Sequence, residues 1–220
     1  MRSLRTLLWI GLAAALPASA QAILTPTAQY TGNTTVVPVV GADFSSVTSL
    51  SAGGKTITFA PSMLALTTGT TWNFWGAPPN TESSTPRVLA SDGGATVTLT
   101  LSSPVNTFGF ELEPANVAGS PFSMTVTFFN GATQVAQVTR TIAYNGALLM
   151  AFSLPTPITS AVVTAPPGAG GFAIAQIRFG NTFLFAPPPS TVPALGPAGL
   201  GTLGLMLAAA GSLLARRRIA

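Results

Sequence analysis

The run Ala95-Thr96-Val97-Thr98-Leu99-Thr100-Leu101 alternates apolar and hydroxyl side chains at every step. A period of two places Val97, Leu99 and Leu101 on one face and the threonines on the other, the pattern of a half-buried β-strand and not of a helix. Asp92-Gly93-Gly94 before it and Ser102-Ser103-Pro104 after it supply the turn residues that bound such a strand. Phe108-Gly109-Phe110-Glu111-Leu112-Glu113 repeats the alternation, which predicts Phe108, Phe110 and Leu112 inward and Glu111 and Glu113 outward. Its glycine marks a place where a neighbouring backbone or ring comes close. Ser123 to Phe129 leads into Asn130-Gly131, a pair suited to a type I′ hairpin turn, and the return arm to Ile142 loses phase around Val135-Ala136-Gln137, predicting a bulge. Shorter strand candidates are Val36 to Val40, Thr56 to Phe59, Met63 to Thr67, Ala147 to Phe152, Ile158 to Val163 and Phe172 to Phe179. No stretch between them reads as a helix and no internal repeat is visible. The expectation is an all-β chain forming a single β-sandwich of jelly-roll type.

The two ends follow other rules. Arg2 and Arg5 precede the apolar run from Leu7 to Leu16, and Pro17-Ala18-Ser19-Ala20 offers small residues for signal peptidase, so residues 1–20 read as a secretory signal peptide. Cleavage after Ala20 is the first choice and after Ala22 the second. The apolar run is too short to span a bilayer. Residues 21–185 hold the β domain. Residues 186–191, opening with Ala186-Pro187-Pro188-Pro189-Ser190, form a stiff polyproline-like linker. From Leu195 to Ala215 no residue is charged, about 21 residues or about 30 Å of helix, enough to cross a membrane. Arg216, Arg217 and Arg218 follow at once, and the positive-inside bias holds them in the cytoplasm, leaving the β domain outside.

These ends account for the net charge of +4. Arg2, Arg5 and the three terminal arginines lie in them, leaving Lys55, Arg87, Arg140 and Arg178 against Asp43, Glu82, Asp92, Glu111 and Glu113. A near-neutral body has no basic stripe for phosphates, so nucleic acid is not an expected partner. With neither cysteine nor histidine in the chain, disulfides, thiolate nucleophiles, Ser-His-Asp triads and the usual zinc or haem ligand sets are excluded. The expectation is a protein that is not an enzyme.

The order of Val192-Pro193-Ala194-Leu195-Gly196-Pro197, an apolar span and an arginine cluster resembles the C-terminal sorting signals of Gram-negative exported proteins, the PEP-CTERM class and its IPTL-CTERM relatives. Ala194-Leu195 and Gly196-Pro197-Ala198-Gly199 lie nearer the IPTL form, so residues 192–220 are read as such a signal. The resemblance implies recognition by an exosortase-type membrane transpeptidase that cuts near Pro193, and a route through the inner membrane to the cell envelope, cell surface or extracellular matrix; the alternative function is a carbohydrate-binding module of the same fold acting on exopolysaccharide. A permanent tail anchor is the alternative, though it does not need the Val-Pro motif. In the body, Trp75-Gly76-Ala77-Pro78-Pro79, Phe108 to Pro114 and Gly171 to Arg178 resemble segments of exported bacterial β-sandwich proteins that bear such tails. That likeness implies fold and compartment, and no activity.

Two groups of side chains are candidates for chemistry. Glu111 and Glu113, two apart on a strand, share one face: they are either a solvated surface pair, two oxygen ligands of a calcium ion, or an acid–base pair. No other cofactor is expected. Trp72, Asn73 and Trp75 either present aromatic faces and an amide to a glycan, as in a carbohydrate-binding module, or Trp72 and Phe74 point inward while Trp75 packs under the Pro78-Pro79 turn. Among the remaining charges, Glu82 with Arg87, and Arg140 with Arg178, are candidates for ion pairs or partner contacts.

Overall fold

The structure, a computed structural model, describes residues 20–185. Its elements run β1 (Gln21–Ile23), α1 (Ala28–Gly32), β2 (Thr35–Val37), β3 (Ser46–Ala52), β4 (Lys55–Thr67), β5 (Arg87–Ala90), β6 (Thr96–Pro114), β7 (Phe122–Asn130), β8 (Thr133–Ile142), β9 (Leu148–Thr164) and β10 (Phe172–Gly180). The described residues are all-β apart from α1, and every pairing between these strands is antiparallel. The strand order is β2-β10-β5-β4-β6-β9-β7-β8, with β1 added to β9 and β3 to β4. β10 also pairs with β6, which closes the circuit β4-β5-β10-β6 and wraps the ladder around the core. Among the described residues no helix is long and apolar enough to cross a membrane. The expected signal-peptide run with Ala18, the linker, the motif from Val192 to Pro197, the apolar span and Arg216 to Arg218 lie outside the described residues.

Six of the sequence-predicted strands are halves of three long ones. β4 joins Thr56–Phe59 to Met63–Thr67, β6 joins the threonine run to the Phe-Gly-Phe run, and β9 joins Ala147–Phe152 to Ile158–Val163. Each long strand changes partner where it contains proline. β4 pairs with β6 up to Ala60 and with β5 from Leu64, with Pro61 between. β6 gives residues 98–101 to β4 and 107–114 to β10, and Pro104 lies in the gap. β9 gives residues 151–153 to β1 and 160–164 to β7, around Pro155 and Pro157. Proline lacks an N–H, so it sits without loss where the ladder is handed from one neighbour to the next. Ser102-Ser103-Pro104 therefore bends a strand that it was expected to end.

The hairpin forms as β7 and β8, with Val135 bulged between the Phe128–Ala136 and Phe129–Gln134 pairs. Its turn lies one residue later than expected. Asn130 pairs with Thr133, leaving Gly131-Ala132 as the connection, and the positive φ of 58° falls on Gly131 and not on Asn130. That is the requirement of a type II′ turn. Three strands and the helix carried no expectation from sequence: β1 is only three residues long, β3 and β5 lack strict alternation, and α1 is a single turn capped by the Thr27 hydroxyl, which accepts from the Tyr30 N–H.

The main core gathers Val97, Leu99, Leu101, Phe108, Phe110 and Leu112 of β6 against Met124, Val126 and Phe128 of β7 and Met150, Ile158 and Val163 of β9. Phe128 meets Phe108 and Phe152 edge-on, with centroids 6.4 and 5.4 Å apart. The first half of β6 alternates buried with exposed as its sequence predicts. From Phe108 to Pro114 both faces are buried. A second layer therefore lies over the outer face of this half-strand, and it forms the site.

Candidate functional site

The outer face of the β10-β6-β9 ladder is floored with small side chains. Glu113 pairs across to Ala173, Glu111 to Ala175 on one side and Leu149 on the other, and Gly109 to Ala151. A methyl group at Gly109 would collide with Ala151, so glycine is required by the close approach that the Phe-Gly-Phe pattern predicts. The alanine floor leaves depth for indoles to lie on the sheet. The connection between β4 and β5 fills that depth: Trp75 packs with Leu66, Val88, Ala90, Ala147, Ala173 and Ala175, and Trp72 rests against the same cluster. Gly76 allows the crossing, since a Cβ there would lie 2.5 Å from the Ala147 carbonyl oxygen.

Glu111 and Glu113 are thus fully buried, and the expectation of an outward, solvated pair is corrected. Their strand has a second covered face, so side chains that alternate away from one core enter another. Glu111 is held by donors: the Trp75 indole N–H gives to Oε2 at 2.8 Å and the Glu82 amide to Oε1. Glu113 Oε1 accepts from the Asn145 amide at 2.6 Å, while its Oε2 is buried with no hydrogen-bond partner. The Trp72 indole leans towards Glu113 and favours its charged form without completing a bond. Burial outweighs these donors and pushes both carboxyls up from 4.5 to about 7.

The arrangement does not suit calcium. N–H groups occupy both oxygens of Glu111 and one of Glu113, where a cation needs six to eight free oxygens, and no third acidic side chain joins them among the described residues. Nor are the carboxyls presented to a substrate. Two hollows flank Trp72, but neither is lined by Glu111 or Glu113. What the pair does chemically is to anchor the loop that covers it: one glutamate fastens Trp75 and residue 82, the other the turn at Asn145.

A second polar knot continues the layer. Glu82 takes Arg178 in a two-pronged pair, Nε to Oε1 at 2.6 Å and Nη2 to Oε2 at 2.7 Å, and the remaining guanidinium nitrogen donates to the Thr31 and Thr34 carbonyls. Loop, helix α1 and strand β10 are tied at one point. Both side chains are nearly buried, so the pair is of the kind whose disruption strands a charge. Arg178 reaches outward because β10 bulges at Gln176, whose φ is +47°. The expected pairings are corrected: Glu82 binds Arg178, Arg87 binds Asp43 at 3.0 Å, and Arg140 donates to the Leu24 and Leu149 carbonyls. Tyr30 lies among these charges with its hydroxyl buried and unpartnered. Burial raises that hydroxyl above its ordinary range.

Of the three residues expected to face a glycan, Trp75 is overturned, since only 6% of it is exposed and its N–H is spent on Glu111. Trp72 is half-buried and Asn73 exposed. Phe74, which the packing alternative turns inward, is 57% exposed and meets the Tyr144 ring edge-on at 6.4 Å. Tyr144 is the residue that the sequence did not single out. The visible signal for the second layer is the unbroken apolar runs Ala147 to Phe152 and Phe172 to Ala175, the mark of strands buried on both faces. No family model matches the chain, and no curated protein matches it.

Proposed function

We propose that this is a non-enzymatic exported protein of a Gram-negative cell envelope or extracellular matrix. Its jelly-roll-like β-sandwich is carried between a signal peptide removed by signal peptidase and a C-terminal sorting signal processed by an exosortase-type membrane transpeptidase. The observation that carries the reading is the order of the tail: Val192-Pro193, then an uncharged span to Ala215, then Arg216-Arg217-Arg218, on a chain that opens with its own export signal. Two features of the domain support it. The paired glutamates are spent on holding a loop, which leaves the domain's most reactive groups in a structural role. Cleavage after Ala20 leaves β1 intact, whereas cleavage after Ala22 removes two of its three paired residues, which favours the first site.

Replacing Val192 and Pro193 together tests the assignment of the motif. The substitution keeps the span and the arginines, so a sorting signal leaves the variant stalled in the inner membrane while the wild type reaches the surface or the matrix. Equal surface delivery of variant and wild type, by fractionation, defeats the motif and leaves a plain anchor.

A further inference from the structure

The loop that seals Glu111 and Glu113 also builds a cleft on its open side. A hollow of about 220 Å³ is lined by Thr71, Trp72, Asn73, Ala115 and Tyr144. Its two walls come from distant parts of the chain, the β4–β5 connection and the turn before β9. The second is fixed from below: Glu113 binds the Asn145 amide, next to Tyr144, while Trp72 in the first lies near the same carboxylate without bonding to it. Further bonds hold each wall. The Trp72 amide donates to the Thr67 carbonyl at 3.1 Å, its own carbonyl accepts from Gly69 at 2.7 Å, and the Tyr144 amide donates to the Ser120 hydroxyl at 2.7 Å. The aromatic rings are therefore placed in advance of any ligand, which lowers the ordering cost of binding.

The chemistry of the lining selects the ligand. Trp72, half-buried, presents the accessible part of its side chain to the cleft. Opposite, the Tyr144 hydroxyl accepts from the Asn73 amide at 3.3 Å, which leaves its own proton and the Asn73 carbonyl oxygen to face outward. Phe74, exposed beside Tyr144, extends the aromatic surface along the rim. No lining residue of this hollow is charged. The carboxyl groups around it lie behind or beyond it: Glu113 is buried beneath, Asp43 accepts from the Thr71 hydroxyl, and Asp92 lines the second hollow across Trp72. Flat apolar ring faces bordered by hydroxyl and amide groups match a sugar ring, which has an apolar C–H face and a hydroxyl rim. A carboxylated or phosphorylated polymer would meet no cation among the lining residues and would approach acidic side chains.

We propose that the Trp72–Tyr144 cleft binds one uncharged pyranose ring of a glycan, stacked on Trp72 and hydrogen-bonded by Asn73 and Tyr144. The volume, below the roughly 300–1,000 Å³ of sites for drug-sized ligands, suits a single ring at the end or along the side of a chain. The site is independent of the delivery route, because it is a property of the β domain. It also shifts the aromatic platform from Trp72 with Trp75 to Trp72 with Tyr144, and it gives the buried Glu113 a positioning role beneath the Tyr144 turn.

The test uses the full chain in a zwitterionic detergent without a sugar headgroup. Cello-, manno- and N-acetylchito-oligosaccharides are titrated against tryptophan emission and saturation-transfer NMR, with oligogalacturonate as the anionic comparison. The expected result is a saturable change with at least one neutral series, weakened about tenfold or more in Tyr144→Ala and in Asn73→Ala, neither of which is a buried position. Trp72→Phe retains part of the affinity and Trp72→Ala loses it, with thermal melting to show that each variant is folded. No saturable change with any neutral series overturns the site. So does preferred binding of oligogalacturonate, and so does neutral-sugar binding that Tyr144→Ala and Asn73→Ala leave unchanged.

Discussion

Raising the pH from 5 to 8 should destabilise this domain, because two of its carboxyls are easier to ionise in the unfolded chain than in the folded one. Glu111 and Glu113 move from 4.5 to about 7 on folding, chiefly through burial. Between those values the folded state holds protons that the unfolded state has released, so stability is complete below about 4.5 and falls as pH rises through about 7. At about 1.4 kcal/mol per pH unit of displacement, each group accounts for at most about 3–4 kcal/mol. Both are displaced over the same pH range, so several kcal/mol for the pair is the ceiling. That is a large share of the roughly 5–15 kcal/mol that a domain commonly has. Asp43 works in the opposite sense. The Thr67 and Thr71 hydroxyls, with Arg87, hold it below its ordinary value, so its contribution disappears only in stronger acid, outside this window. The assay is urea denaturation at constant ionic strength at pH 5, 6, 7 and 8, read by tryptophan emission. The midpoint should fall steadily with pH. Glu113→Gln keeps an acceptor for the Asn145 amide and removes one titration, so it should flatten the slope by about half and stabilise the protein at pH 8. A midpoint that is constant or rises from pH 5 to 8 refutes the reasoning, because it would mean that the carboxyls ionise as readily inside as in water.

Two further outcomes follow from the same layer. Tyr30→Phe removes a buried hydroxyl that has no partner, and denaturation should show unchanged stability or a gain of up to about 1 kcal/mol. Glu82→Ala leaves the nearly buried Arg178 without its carboxylate and should cost about 3–5 kcal/mol by the same assay, with Glu82→Gln losing less because the amide oxygen still accepts.

Much of this fold was legible before any coordinates. The threonine run, the inward Phe108, Phe110 and Leu112, the hairpin and the bulge at Val135 all rest on local periodicity, and periodicity is where a half-buried strand leaves its record. The long strands were not legible as such. Pro61, Pro104 and Pro155 carry the usual sign of a strand end, and only the change of partner in three dimensions turns them into bends. The site misled for a related reason. Alternation says that Glu111 and Glu113 leave the core that holds Phe110 and Leu112, but it does not say what lies on the other side. That side is filled by a connection about twenty residues long whose order of Trp72, Asn73, Phe74 and Trp75 has no strand or helix period. Which of its aromatic rings face inward depended on Gly76, the alanine floor and two glutamates supplied from elsewhere in the chain.

The central claim concerns destination, and the intact mass of the mature protein recovered from cells tests it most directly. The account predicts a chain that begins at Gln21 and has lost the span and the arginines after a cut near Pro193. A recovered protein that still carries residues 200–220 would contradict processing, and one that still carries residues 1–20 would contradict export.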